Sequence, residues 1–235
     1  MSRSQPQNNT PNPASRWFEW NGEAGTVRYY DKNAKKSVDV GADFTFLLLD
    51  QLGTVGGWHD PSASGIYANE VRDTRRDPLV VKAFKGGTLI EGIYQSIKDR
   101  VHTLGGQFVA NCYLAYKRDG ELAIGAIRFK GAALGAWMEF EKAHRGDLYA
   151  KAITITGFTE GKKGRIVFRV PTFKTTAISD DTQKQALGLD VVLQEYLTAY
   201  LARTSRDQAE ATPEPPVEHE DSGYQKMITD EDIPF

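Results

Sequence analysis

Lysine, arginine and aromatic residues recur along this 235-residue chain at spacings that would set cations and ring faces side by side on strands. That combination suits a flexible polyanion carrying flat bases, since cations meet its phosphates and rings stack on its bases. Between Gly164 and Phe173, the two-residue period gives Ile166, Phe168 and Val170 one face and leaves Arg165, Arg169 and Phe173 on the other. Between Gln107 and Lys117, Phe108, Ala110, Cys112 and Leu114 look inward, so Asn111, Tyr113 and Lys117 point outward. The next run offers Arg128 and Lys130 as cations suited to phosphates. Three further clusters stand out: Arg72, Arg75 and Arg76 before Pro78, followed by Lys82, Phe84 and Lys85; Lys162 and Lys163 beside Arg165; and Trp58 with Tyr67 around a glycine-rich stretch. A lone cation is usually a solvated charge and a lone ring usually core, so the clusters carry more weight than their members.

Catalysis has little to stand on. His59, His102, His144 and His219 are scattered without metal-ligand spacing, and no G-x-x-x-x-G-K-[ST] loop is present to cradle phosphates. The glycine pairs Gly86-Gly87 and Gly105-Gly106 read as turns. Hence no catalytic residue, no metal site and no cofactor is expected. The single cysteine, Cys112, allows no internal disulfide and sits in an apolar alternating run, so it reads as a buried core thiol in a reducing cytoplasm. Residues 1–14 hold no apolar run, which argues against a signal peptide or membrane span there.

The formal net charge of −2 conceals a division. Residues 207–235 carry nine acids against Lys226, a net −8, while residues 1–206 carry a net +6. A basic body with an acidic tail fits a nucleic-acid binder that also presents an interaction segment. The tail ends Asp230-Glu231-Asp232-Ile233-Pro234-Phe235, three acids before a short apolar hook with an aromatic and a free carboxylate. These six residues resemble the C-terminal tip of single-stranded DNA-binding proteins of bacteria and their phages, on which replication and repair enzymes dock. The resemblance implies a sequence-independent single-stranded DNA-binding protein, of phage type, that protects DNA during replication, recombination or repair. It also implies that Phe235 fills an apolar pocket on partner proteins while the neighbouring acids meet Lys or Arg. The alternative is an interaction protein that presents such a tip to host docking pockets without binding DNA itself.

The elements that must position these residues are mostly short strands. Arg16–Trp20, Thr26–Tyr30, Asp43–Asp50, Gly65–Arg72, Leu79–Phe84, Gln107–Lys117, Glu121–Phe129, Tyr149–Phe158 and Gly164–Phe173 alternate and are bounded by turn residues. Lys117-Arg118-Asp119-Gly120 predicts a tight hairpin, because Asp-Gly supplies positive φ angles. A second hairpin is expected around residues 159–164. Helical spacing appears in Ile90, Ile93, Ile97, Val101 and Leu104, more weakly over residues 131–144, and most clearly in Ala186, Leu189, Leu193, Tyr196, Leu197 and Tyr200 after the capping run Ser179-Asp180-Asp181. The expectation is a mainly β domain over residues 15–204, between a disordered leader of 1–14 and a disordered acidic tail of 205–235. With the resemblance, that domain implies an OB-fold, a five-stranded Greek-key barrel with inserted and C-terminal helices.

Overall fold

The computed structural model describes residues 11–202, so the acidic tail with its tip, Asp230 to Phe235, lies outside the described residues. The chain is mainly β, with eleven strands and three α-helices in the order β1 (Trp17–Asn21), β2 (Thr26–Asp31), β3 (Lys36–Gly41), β4 (Asp43–His59), β5 (Ser64–Ala68), β6 (Leu79–Ala83), β7 (Gly87–Gly92), α1 (Tyr94–Thr103), β8 (Gly106–Arg118), β9 (Glu121–Lys130), α2 (Gly131–Ala143), β10 (Lys151–Lys163), β11 (Ile166–Ala177) and α3 (Asp180–Leu201).

The seventeen-residue β4 is the spine. It pairs with β8 along most of its length, from Phe46↔Tyr116 to Gly57↔Gly106. On its other side it pairs first with β10 (Phe44↔Ile155) and then with β5 (Trp58↔Gly65), so the sheet forks there. Its second half runs through Gly53, Gly56 and Gly57, and a Cβ on Gly57 would stand 2.2 Å from the Gly105 carbonyl oxygen. Glycine is what lets β4 pass the α1–β8 turn closely enough for Trp58 N to donate to Gly105 O at 3.1 Å.

The sheet is open. Its order is β3-β2-β1-β9-β8-β4-β5-β6-β7, with β10 and β11 branching from β4, and β1 runs parallel to β9. The closed five-stranded barrel expected from the sequence is therefore not what forms. β11 curls back to the β1–β2 turn, but it is held there by point contacts rather than a ladder: Arg169 N donates to Gly22 O at 2.8 Å, and Trp20 Nε1 donates to Arg169 O at 2.8 Å.

Both faces of the central strands are covered. On one side α2 packs Leu134, Trp137 and Phe140 against Ala110, Cys112, Leu114 and Phe129. On the other, α3 packs Ala186, Leu193, Tyr196, Leu197 and Tyr200 against Leu47, Leu49, Leu52, Tyr113 and Ala115. A third cluster joins Tyr94, Ile97 and Val101 of α1 to Val55, Ile66, Leu79 and Val81. The helix α3 starts where expected, with Ser179 Oγ accepting from Thr182 N at 3.2 Å. It is pinned by polar bonds in the same layer. Asn111 Nδ2 and Tyr113 Oη donate to the Glu70 carboxylate at 2.5 and 2.8 Å, and Glu70 N donates to Tyr200 Oη at 2.9 Å.

The Asp119-Gly120 hairpin forms as its sequence predicts, with φ of 53° and 93°. The second hairpin is longer than expected, because the ladder continues to Lys163↔Ile166 and turns at Gly164-Arg165. Strands β3 and β7 were not foreseen, and Ile90 belongs to β7 opposite Val81 rather than to α1. Order also reaches into the segment expected to be a leader, where Asn12 Nδ2 donates to Tyr113 Oη at 3.4 Å and Ala14 packs against the α3 layer.

Burial holds the Cys112 thiol and the Tyr113 hydroxyl well above their ordinary values of 9.0 and 10.0, with Glu141 and Glu70 respectively adding to the shift. The fold thus favours their neutral forms, and this contribution is complete below pH about 9. It is lost as pH rises further, because the unfolded chain releases these protons first. Urea titrations between pH 8 and 11 should show stability falling along this limb, with a shallower fall in Tyr113→Phe and in Cys112→Ala.

Candidate nucleic-acid interface

Several residues that the strand period sets outward turn out to be structural. Tyr113 is fully buried, because α3 covers the face of β8 that would otherwise meet solvent, and its ring meets Trp17 edge-on at 6.1 Å. Phe173 lies in the α2 layer, 5.6 Å from Phe129, 5.5 Å from Trp137 and 5.2 Å from Phe140. The parity that groups Arg169 with Phe173 is right, but at Pro171 and Phe173 their shared face is turned toward the core. Arg169 is a clamp: its guanidinium donates to the Glu23 carbonyl, stands 3.7 Å from Glu160 and covers the Phe158 ring at 5.1 Å. Arg72 is a bidentate partner of Asp50 at 3.0 and 2.7 Å and donates to Gln194 of α3 at 3.1 Å.

The other predicted cations are scattered. Lys162, Lys163 and Arg165 are exposed at the end of the β10–β11 hairpin, which extends beyond the start of β4. Lys117 is exposed at the β8–β9 turn, and Arg75 and Arg76 are exposed in the loop before Pro78, with Arg76 3.6 Å from Asp73. The structure does not bring these groups together.

It does unite two clusters that the sequence kept apart. Gly56 of β4 stands opposite Gln107 on one side and Tyr67 on the other, and Tyr67 stands opposite Lys82. Trp58 stands opposite Gly65. Directly opposed residues share a face of the sheet. Phe84, one step past β6, leans over Gly65, whose Cβ would touch its ring at 3.4 Å, and Phe84 lies 4.7 Å from the Tyr67 ring. Trp58, Tyr67 and Phe84 therefore form one aromatic surface with Lys82 among them and exposed Lys85 at its edge. Glycines at 56 and 65 keep the ground between the rings low.

The same face continues across β8 to β9, since Lys130 opposes Val109 and Val109 opposes Thr54. Four strand spacings separate Lys130 from Lys82, roughly 20 Å. Next to Lys130, the Arg128 guanidinium lies over the Trp17 ring at 4.9 Å and beside Glu19, which pairs with Arg28 at 2.7 Å. Burial lowers the Lys130 ammonium from its ordinary value, with Arg28 and Arg128 acting in the same direction against Glu19. A phosphate placed there would supply the counter-charge that favours the protonated amine. The helix α3 stops short of this region, as its last buried ring, Tyr200, contacts Glu70.

Among the described residues no group of His, Cys, Asp or Glu is placed to hold a metal ion, and no helix is long and apolar enough to cross a membrane. Trp58, Tyr67, Lys82 and Phe84 were each visible as residues of interest. Their union rests on the β4–β5–β6 register, whose only local sign is that positions 56 and 58, 65 and 67, and 82 and 84 each keep one parity. No protein-family model, curated protein or solved structure matches this chain.

Thermal or urea melts separate the two kinds of residue. Tyr113→Ala and Phe173→Ala remove packed rings and should destabilise the fold by about 3–5 kcal/mol. Phe84→Ala, at 37% exposure and with its ring on Tyr67, should cost about 1 kcal/mol.

Proposed function

We propose that this chain is a non-enzymatic, sequence-independent single-stranded DNA-binding protein whose β4–β5–β6 face stacks bases while cations along it meet phosphates. The observation that carries this reading is the grouping of Trp58, Tyr67 and Phe84 around Lys82 on one sheet face. Rings present a π-face that any base can use, so such a surface holds strands without choosing sequence, and an unpaired strand exposes the bases that a duplex stacks away. Lys82 and Lys85 at the aromatic face, with Arg128 and Lys130 farther along the same side of the sheet, are the cations offered to phosphates. The curl of β1, β9, β8, β4, β10 and β11, with its parallel β1·β9 pair, supports an OB-like relative of this architecture without barrel closure.

The acidic tip gives the biological half of the proposal. A protein that coats single strands during replication, recombination or repair, in a cytoplasm and in phage-type fashion, gains from a C-terminal hook that recruits the enzymes acting on that DNA. Asp230, Glu231, Asp232, Ile233, Pro234 and Phe235 are the residues assigned to that docking. The charge of residues 207–235 also opposes DNA on a basic face, and the described part of the chain ends next to that face, with Tyr200 on Glu70.

Titration of a fluorescent single-stranded oligonucleotide with the full chain, against duplex and RNA competitors, tests the reading. Binding should prefer the single strand. With phosphates at Lys82, Lys85, Arg128 and Lys130, log affinity should fall with log salt at a slope near −3, at about 0.7 per phosphate. Tyr67→Ala, Phe84→Ala and Trp58→Ala should each cost about 1–3 kcal/mol of affinity. Salt-indifferent binding, or no binding at all, would leave the tip-presenting interaction protein as the better account.

Removing residues 207–235 should tighten DNA binding at low salt, with the gain fading as salt screens it. Phe235→Ala keeps every acid and should leave DNA affinity unchanged while weakening capture of replication or repair proteins, at a cost of about 2 kcal/mol or more. Equal capture by the parent and by Phe235→Ala would count against a docking tip.

A further inference from the structure

Among the described residues seven large apolar side chains are exposed: Phe84, Tyr149, Phe158, Val167, Leu187, Val191 and Val192. Phe84 belongs to the aromatic face. Of the other six, five fall on just two elements, the β10–β11 hairpin and the outer side of α3. Scattered exposed apolar residues need no explanation, whereas grouped ones mark a surface that something covers.

The two groups differ in charge. At the hairpin, Val167 stands opposite exposed Lys162, near Lys163 and Arg165, and the partly exposed Phe158 lies on the same face beyond the Glu160–Arg169 pair, with Arg169 over its ring. Beyond Thr156↔Asp43 the hairpin has left β4, and β11 ladders with β10 alone, its outer edge meeting the β1–β2 turn at Arg169. On α3, Leu187 and Val191 lie one turn apart on the side opposite the buried stripe, with Val192 beside them. Exposed Asp180, Asp181 and Glu195 outnumber Lys184 on that side. Gly188 lies between these apolar residues, and a Cβ there would have nothing within 4 Å. Packing among the described residues therefore does not require glycine at 188, although glycine weakens a helix interior. A bare spot among exposed apolar side chains suits the close approach of another surface.

We propose that the β10–β11 hairpin of one copy of this chain docks on the outer face of α3 of a second copy. Phe158 and Val167 would meet Leu187, Val191 and Val192 across Gly188, with the basic hairpin end against the acidic side of the helix. Hairpin against hairpin would oppose cations, and helix against helix would oppose acids, so the complementary pairing is the favoured one. DNA is a poorer occupant of the hairpin, because an aliphatic Val167 cannot stack on a base and Glu160 repels phosphate. The contact joins two different patches, so each copy retains one free hairpin and one free helix face unless two copies exchange both. It goes beyond DNA binding and stands or falls without DNA present.

Sedimentation velocity of the full chain over a range of concentrations and salt, with no DNA, tests it. The average mass should rise with concentration and fall with added salt. Val167→Glu spoils the hairpin, and Gly188→Gln blocks the helix face while improving helix propensity, so unfolding cannot account for its behaviour. Each variant alone should sediment as a single copy, and their mixture should recover a two-copy species, since each supplies the half that the other lacks. A parent that stays single at every concentration, or variants that associate as the parent does, overturns the proposal. So does a Val167→Glu protein that loses DNA affinity with its mass distribution unchanged, which would give the hairpin to DNA.

Discussion

Burial of the central strands on both faces constrains everything else in this molecule. With α2 against Cys112, Leu114 and Phe129 on one side and α3 against Leu52, Tyr113 and Ala115 on the other, most of the β4–β8–β9 surface is committed to packing. Where α3 ends, beside Glu70, the sheet can offer side chains to a ligand. That is where the glycine-bearing half of β4 carries the sheet on into β5 and β6 and where Trp58, Tyr67 and Phe84 gather. The length of α3 and the length of β4 together set the boundary between the core and the aromatic face.

Holding α3 in that place requires buried polar groups that meet partners across the layers. Glu70 would be costly to bury alone, and it is accommodated by donors from Asn111 and Tyr113 while its own N–H meets Tyr200. Asp50 plays the matching part further along the helix, with Arg72 bidentate upon it and Gln194 Nε2 donating at 2.8 Å. Such bonds have directions, unlike apolar contacts, and so fix where along the sheet the helix lies. Tyr113, Arg72 and Asn111 thereby fix where α3 lies relative to the aromatic face.

Much of the fold was legible in the sequence. The Asp119-Gly120 turn, the Ser179 cap and the α3 stripe are local chemistry, and each appears in place. Side assignment was not legible. The alternation in residues 107–117 shows that Tyr113 and Cys112 face opposite ways, but a strand with a second covering layer has no solvent side, and the α3 stripe that covers it lies seventy residues on. For Arg169 and Phe173 the two-residue period holds but the inner side is theirs, since Ile166, Phe168 and Val170 are the more apolar set yet lie outside the aromatic core. β3 escaped notice because Val38 and Val40 are its only apolar residues, and the second half of β4 because three glycines interrupt it. The aromatic face depends on register between strands, which no single stretch of sequence encodes.

The central claim is that single-stranded DNA lies on the β4–β5–β6 face. Ultraviolet cross-linking of an oligothymidylate to the full chain, followed by mass spectrometry of the digested adducts, addresses it directly, because only rings or side chains in contact with a base become joined to it. The account predicts adducts on the peptides that carry Trp58, Tyr67 and Phe84, and their loss when duplex replaces the single strand. Adducts confined to the β10–β11 hairpin, or to the loop of Arg75 and Arg76, would contradict it.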